Sequence, residues 1–153
     1  MLFALALLLH LVSVVVWVGG MIFAHQILRP VAVELLEPPL RLTLWINIFR
    51  KFFFLVWLAV IFILITGLWM MFAQHGGFQA KISIHIMFTL GLVMTLIYLY
   101  VFFSPYQKLK AAVTAKDWPT GAQALAKIRM AVGWNTILGL LTISVAALGR
   151  YLF

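Results

Sequence analysis

The stretch H-L-V-S-V-V-V-W-V-G-G, residues 10–20, lies within an apolar segment long enough to cross a membrane. A histidine inside hydrocarbon costs free energy, so an intramembrane histidine is by itself a hypothesis for a functional site. One stripe of polar and small side chains recurs here every three or four residues: His10, Ser13, Trp17, Gly20 and Ala24. In a bilayer such a stripe faces other helices rather than lipid, so His10 is expected to point into a helix bundle.

The composition of the whole chain is that of an integral membrane protein. Of its 153 residues, 66% are hydrophobic and 9% are charged, and the mean hydropathy is +1.16, unlike any soluble domain. Crossing about 30 Å of hydrocarbon takes about 20 mostly apolar residues. Four segments meet that condition: residues about 2–28, 48–73, 80–104 and 130–152. The sequence therefore predicts an all-α fold, a polytopic bundle of four transmembrane helices in which residues 1–153 form a single integral membrane domain.

The basic residues predict the orientation of the bundle. Nine of the eleven lie in or beside the connections between spans one and two and between spans three and four. By the positive-inside rule these connections belong in the cytoplasm, so both termini are expected on the periplasmic or outer side of a bacterial inner membrane. The net charge of +8 is explained by this asymmetry and by anionic lipid. No nucleic acid partner is therefore predicted.

Several kinds of chemistry are disfavoured by what the chain contains. It has no cysteine, which excludes disulfides, iron–sulfur clusters and thiolate metal sites. Its three acidic residues, Glu34, Glu37 and Asp117, all fall on the connections, so carboxylate chemistry inside the spans is nearly excluded. No glycine-rich phosphate loop and no serine nucleophile with a convincing base occurs. The histidines are the remaining candidates.

Two of the four histidines, His10 and His85, fall inside predicted spans. Each precedes a proline, Pro30 or Pro105, by 20 residues, and both spans are expected to run from outside to inside. A parallel pseudo-repeat would place each histidine about 30 Å from its proline, so both would lie near one depth close to the outer face. Chance alone also produces two equal histidine-to-proline spacings. The other two histidines lie near the membrane surface, where an imidazole needs no ligand: His25 and His75.

Two imidazoles at one depth, with cations above them, suit a b-type haem. His10 and His85 would be the axial ligands of the haem iron, with His75 in reserve. Lys81 lies one turn before His85, and Arg150 ends a polar stripe of span four at the same outer face, so both would meet the propionates. Taken alone, the two cations are also typical of residues that anchor a helix at the membrane interface.

Copper is the competing ligand. A group of soft and borderline donors falls near the outer ends of spans two and three: Met70, Met71, His75, His85 and Met87. Thioether and imidazole donors suit Cu(I). Methionine in an apolar span, however, more often contributes only to packing.

The chain resembles the CopD-like (copper resistance D) family of small bacterial membrane proteins. The matching pieces are residues 10–20, F-R-K-F at 49–52, I-T-G-L-W at 65–69 and the third span led by Lys81. The chain is also similar to the HemJ-type protoporphyrinogen oxidases, four-helix membrane proteins that hold haem b, although it lacks their tyrosine–histidine pairs. That second resemblance implies functional roles for the first-span histidine and the third-span lysine, which are His10 and Lys81. The shared H-x6-W-x-x-G pattern adds Trp17 and Gly20 as candidate cofactor-binding residues.

These patterns leave three functions open. The first is a haem-b membrane protein that carries electrons or acts as an oxidoreductase, with protoporphyrinogen-oxidase-like chemistry among the options and a redox partner or quinone beside it. The second is copper transport or homeostasis, and the third is a non-catalytic partner subunit. The stripes of small residues also predict a homo-oligomer in the lipid bilayer, because a four-helix unit leaves flat faces free to pair.

The predicted orientation can be tested by cysteine labelling, because the chain has no cysteine of its own. Single cysteines introduced near residues 35 and 112 should be protected from membrane-impermeant reagents in intact cells and become reactive after lysis. A cysteine in the turn around His75 serves as the positive control. Labelling of either connection from outside would overturn the topology.

Overall fold

A computed structural model describes residues 1–152 of the chain, except for the side chains of Arg150 and Leu152. These residues contain no strand and form five helices, α1 Leu2–Leu35, α2 Pro38–Gln74, α3 Ile82–Phe103, α4 Pro105–Thr114 and α5 Trp118–Leu152. A single 3-10 turn, Gly77–Gln79, lies between α2 and α3. Four helices are long and apolar enough to cross a membrane when α3 and α4 are taken together. The predicted all-α, four-span architecture is confirmed.

The helices reach well beyond the hydrophobic spans at one end of the bundle. At this end the chain passes from Leu35 to Pro38 and from Thr114 to Trp118. We call this end of the bundle the connection end. The other end, which holds Met1 and the turn between α2 and α3, is the terminal end. With 37 residues, α2 is about 55 Å long, which exceeds the roughly 30 Å of a hydrocarbon core.

The starts of α2 and α5 explain this extra length. Pro38 and Pro39 occupy the first turn of α2, where a missing N–H costs nothing, so they begin a helix. Asp117 precedes α5, and its carboxylate accepts a hydrogen bond from the backbone N–H of Thr120 at 3.1 Å. Hydrogen bonds from Thr120 lower the pKa of the Asp117 carboxyl below its ordinary value. Asp117 is therefore the residue that caps α5.

Two wider turns interrupt α1. Residues Val15–Gly19 and Phe23–Leu28 are π-helical, with backbone hydrogen bonds that span one residue more than in an α-helix. Pro30 follows the second of these segments and lies in the first turn of the α-helical stretch Arg29–Leu35. A proline lacks the N–H and collides with the carbonyl four residues earlier. The wider turn immediately before Pro30 relieves that conflict, so α1 continues past the proline.

The four long helices pack in an up-and-down arrangement, and α2 and α5 also contact each other. The contacts of α1 are with α2 and α5, and those of α3 are with the same two helices, so α1 and α3 lie across the bundle from each other. A column of aromatic side chains fills the half of the bundle interior that is nearer the connection end. Its members stack or meet edge to face along α2, α3 and α4: Trp45, Phe49, Phe53, Trp57, Tyr98, Phe102 and Tyr106.

Close helix packing depends on glycine at the middle of α5. A Cβ atom at Gly139 would lie 2.8 Å from Cγ2 of Val18 on α1 and 3.2 Å from Cε of Met94 on α3. Gly139 therefore marks the level at which three helices meet. By contrast, a Cβ atom at Gly91 on α3 would find no atom within 4 Å. Because lipid tails are as apolar as these side chains, the hydrophobic effect does not drive the helices together. Close van der Waals contact between them holds the bundle instead.

This comparison predicts opposite results for two glycine-to-alanine substitutions. Gly139→Ala should lower stability by about 1–3 kcal/mol, because the stiff Val18 side chain has no room to move away. Gly91→Ala should leave stability unchanged or raise it by up to about 1 kcal/mol, because alanine favours the helix. Thermal unfolding of both variants in the same detergent measures the difference. Equal melting temperatures would contradict the packing described at Gly139.

Candidate functional site

The histidine of the opening motif contacts α2. His10 is half-buried on α1, and its Nδ1 atom lies 2.9 Å from the Oγ1 atom of Thr66. The Thr66 side chain is only 6% exposed, so water has little access to this hydrogen bond. The polar stripe of α1 therefore faces protein at His10, as helical spacing indicates.

The Thr66 hydroxyl favours the tautomer of His10 that carries its proton on Nδ1. A hydroxyl has one hydrogen to donate, and the Thr66 hydroxyl donates it to the backbone carbonyl of Phe62 on its own helix. Towards His10 the Thr66 oxygen can then only accept, so Nδ1–H of His10 is the donor. A neutral imidazole has one protonated nitrogen. In that tautomer the free lone pair is on Nε2, the atom that would bind a metal ion.

Gly67 lets the ring come close to α2. A Cβ atom at Gly67 would lie 3.3 Å from Cε1 and 3.8 Å from Nδ1 of His10. The shorter of these distances is tight enough that the ring would have to shift. Thr66 and Gly67 are the centre of the I-T-G-L-W motif at residues 65–69. The motif thus supplies both the acceptor that orients the imidazole and the space that admits it.

Two methionines continue the face of α2 that receives His10. Met70 lies four residues beyond Thr66, and Met71 lies four beyond Gly67, so both are one helical turn nearer the terminal end. Met71 is 5% exposed and Met70 is half-buried. The side of the bundle around His10 therefore combines an imidazole nitrogen with thioether sulfurs.

His85 lies at about the same depth as His10. Val18 and Met94 both contact the Gly139 position, so they mark one level. His10 precedes Val18 by eight residues and His85 precedes Met94 by nine, which places the two histidines about 12 Å and 13 Å beyond that level towards the terminal end. His85 is half-buried on α3, whereas the hydrogen bond of His10 goes to α2.

The other predicted site residues have separate environments. Lys81 precedes the first turn of α3 and is exposed; a cation there opposes the helix dipole, so helix stability does not explain its position. His75 is exposed in the turn after α2. Arg150 belongs to α5, but its side chain lies outside the described part of the chain.

The two remaining motif residues serve in packing. Trp17 is 3% exposed and meets the ring of Tyr98 edge to face, with centroids 6.1 Å apart. A Cβ atom at Gly20 would collide with the ring of Phe52. Both residues hold α1 close to its neighbours. Within residues 1–152 no group of three or more His, Asp or Glu side chains is placed to hold a metal ion.

Sequence reasoning missed Thr66, the partner that orients His10. The signal was present, because I-T-G-L-W places a polar and a small residue next to each other in an apolar span. What the sequence lacks is the pairing of α1 with α2 at this level. A histidine in one span and a threonine–glycine pair in the next are together the pattern to look for.

Comparison with known proteins identifies one family. The sequence model of the family described as copper resistance protein D matches residues 46–148, which is more than half of the chain and runs from α2 into α5. No curated protein and no solved structure matches at a significant level.

The assignment of the His10 proton can be tested by ¹⁵N NMR of histidine-labelled protein, with the His10 signals identified from His10→Gln. Nδ1 should give the signal of a protonated nitrogen and Nε2 that of a bare nitrogen. Thr66→Val should abolish this preference, and Thr66→Ser should keep it. Thr136→Val is a matched control, because Thr136 is also buried and donates to its own helix at Val132. A protonated Nε2 in the native protein would refute the assignment.

Proposed function

The chain belongs to the copper resistance protein D family, and from that premise we propose that it takes up Cu(I) in the terminal half of the bundle and serves copper transport or homeostasis. The observation that carries the proposal is the hydrogen bond between His10 and Thr66. It fixes the imidazole on the protein side of α1 and leaves the lone pair of Nε2 free.

The donors near His10 favour a soft monovalent ion. Imidazole nitrogen and thioether sulfur are ligand types that suit Cu(I), and Met70 and Met71 follow Thr66 and Gly67 on the face of α2 that His10 contacts. The carboxylates of the chain are all on the connections, away from this half of the bundle. In this proposal Nε2 of His10 binds the ion and the methionines supply sulfur.

Thr66 acts in this proposal by orienting a ligand rather than by binding copper. A metal-binding histidine commonly donates its other N–H to an oxygen of the protein, which fixes the ring and strengthens the ligand. The Thr66 hydroxyl supplies that oxygen, and its own bond to Phe62 fixes the hydroxyl in turn. Copper would enter from the terminal end, which we infer to face the periplasm from the basic residues of the connections.

A b-type haem is the second candidate, and the common depth of His10 and His85 supports it. The bare Nε2 of His10 suits an axial ligand of iron, and Lys81 lies on the terminal side of His85, where a propionate would be. A haem held there would supply one-electron chemistry. The two principal cavities of the described residues are lined by neither His10 nor His85. The residues around His10 therefore fit a single ion better than a macrocycle.

Cu(I) titration against a chromophoric chelator, under anaerobic and reducing conditions, tests the copper proposal. The native protein should compete for Cu(I), and His10→Ala should abolish tight binding. Thr66→Val should weaken binding about 10- to 100-fold, the usual effect of losing an orienting partner. Met70→Leu with Met71→Leu should weaken it as well, while packing is preserved.

His75→Ala is the matched control, because it removes an exposed imidazole at the same end of the bundle. Its copper affinity should equal that of the native protein. Unchanged binding in His10→Ala would refute the copper site. A visible spectrum of the same samples decides the second candidate: a Soret band with sharp reduced α and β bands that disappears in His10→Ala establishes haem, and an absent band rejects it.

A further inference from the structure

A second polar region lies at the connection end of the bundle, far from His10. It is a cavity of about 190 Å³ between α1, the start of α2 and the first half of α5. That volume is more than ten times what holds one water molecule. Fifteen residues separate His10 from His25, which lines the cavity, so the two regions are roughly 22 Å apart along α1.

Three arginines from three different helices line this cavity: Arg29 of α1, Arg41 of α2 and Arg129 of α5. Arg29 and Arg41 are half-buried, and Arg129 is exposed. His25 lines the same cavity, and the charges of Arg29 and Arg129 both act on its imidazole. The lining therefore collects at least three positive charges.

No carboxylate of the chain balances these charges inside the cavity. The acidic residues of the chain number three, and none of them lines it. Glu34 and Glu37 are exposed, and Asp117 accepts the hydrogen bond that caps α5. Bringing three cations together without a counter-charge is unfavourable in a partly desolvated place. An anion from outside the chain would remove that cost.

The backbone is shaped to bring His25 into this position. His25 lies in the π-helical segment Phe23–Leu28 of α1, and Arg29 follows that segment directly. Such wider turns are frequent at functional sites. A Cβ atom at Gly133 of α5 would lie 3.4 Å from Nε2 of His25, so the absence of a side chain at Gly133 lets the imidazole approach α5 one turn away from Arg129.

The remaining walls are apolar. Trp45 and Phe49 line the cavity from α2, and Ile128 lines it from α5; they are 5%, 5% and 1% exposed. Guanidinium groups bind phosphate through paired hydrogen bonds. Basic pockets between transmembrane helices at the cytoplasmic side recognise anionic lipid headgroups. Positive charge beside an apolar wall thus matches a phosphate that is attached to an apolar group.

We propose that this cavity binds a phosphate group through Arg29, Arg41 and Arg129. The phosphate is that of an anionic phospholipid headgroup, whose glycerol and first acyl carbons lie against Trp45 and Phe49, or it is a free phosphate ion. In both cases the same guanidinium groups hold the same anion. The site is separate from the copper proposal and stands or falls without it.

The test compares two double variants that carry the same net charge. Arg41→Gln with Arg129→Gln removes two cations that line the cavity. Lys51→Gln with Lys127→Gln removes two exposed cations of the same two helices, α2 and α5, and neither of these lysines lines the cavity. In the lipid arm, native mass spectrometry of the full chain measures binding of phosphatidylglycerol and phosphatidylcholine. In the ion arm, the melting temperature is followed as inorganic phosphate replaces chloride at constant ionic strength.

A lipid site predicts that the native protein and the lysine variant prefer phosphatidylglycerol, and that the arginine variant binds it about ten-fold or more weakly, because two charge-assisted contacts are gone. A free phosphate site predicts a rise in melting temperature with phosphate that only the arginine variant loses. Equal behaviour of the two double variants in both arms overturns the proposal.

A second pair keeps the test decisive if the glutamine variant does not fold. Arg41→Lys with Arg129→Lys keeps the charge and removes the planar fork, so phosphate binding should fall several-fold while folding is preserved. Binding equal to that of the native protein would overturn the proposal in the same way.

Discussion

The interior of a bilayer has no water, and this constraint governs how the helices of this chain are joined. A polar side chain buried inside a span costs free energy unless it finds a partner within the protein. Hydrogen bonds between different spans connect the helices in sequence order: His10 to Thr66, Tyr98 to the carbonyl of Phe53, and Asn135 to the carbonyl of Met94. Most hydroxyls instead donate to their own helix, four residues back, as Ser13, Thr95 and Thr142 do. Such interhelical bonds average about 0.6 kcal/mol, with a maximum near 2, so they set register more than they supply stability. His10 therefore joins α1 to α2 as well as presenting a nitrogen.

The sequence predicted the architecture because hydropathy alone identifies membrane spans, and it predicted the helix ends poorly because those depend on local backbone chemistry. By residue type alone, Pro30, Pro38 and Pro39 indicate breaks in the connection between the first two spans. In the structure Pro30 follows a π-helical turn that makes room for it, and the other two begin α2. Proline disrupts the interior of a helix but fits its first turn. A sequence pattern gives the residue type, whereas the position of the residue within the turn decides its effect.

The candidate sites divide in the same way. Helical spacing located His10 on the protein-facing side of α1, because that inference needs only one helix. The assignment of its proton needs Thr66 from another span, and no local pattern contains that pairing. His25 was interpreted as an ordinary histidine near the membrane surface, since its surroundings depend on Arg129 from α5. Only the spacing of His25 and Arg29, four residues apart on α1, hinted at a common face. Sites built between helices are the part of a membrane protein that a single sequence predicts least.

The two ends of the bundle offer opposite chemistry, and the layer between them limits what the described conformation can do. The terminal half presents an uncharged imidazole and thioethers, which suit a soft cation, while the connection end presents guanidinium groups, which suit an anion. Between them lie tightly packed side chains such as Trp17, Val56 and Phe53, each at most 3% exposed.

The cavity at this level measures only about 20 Å³ and borders Asn135, whose buried Oδ1 atom has no partner among the described residues. It is the size of one water molecule, and it reaches neither His10 nor the arginines. Passage of an ion from one end to the other therefore requires the helices to move apart at the level of Gly139, where side chains of α1 and α3 contact α5. The binding proposed at either end requires no such movement.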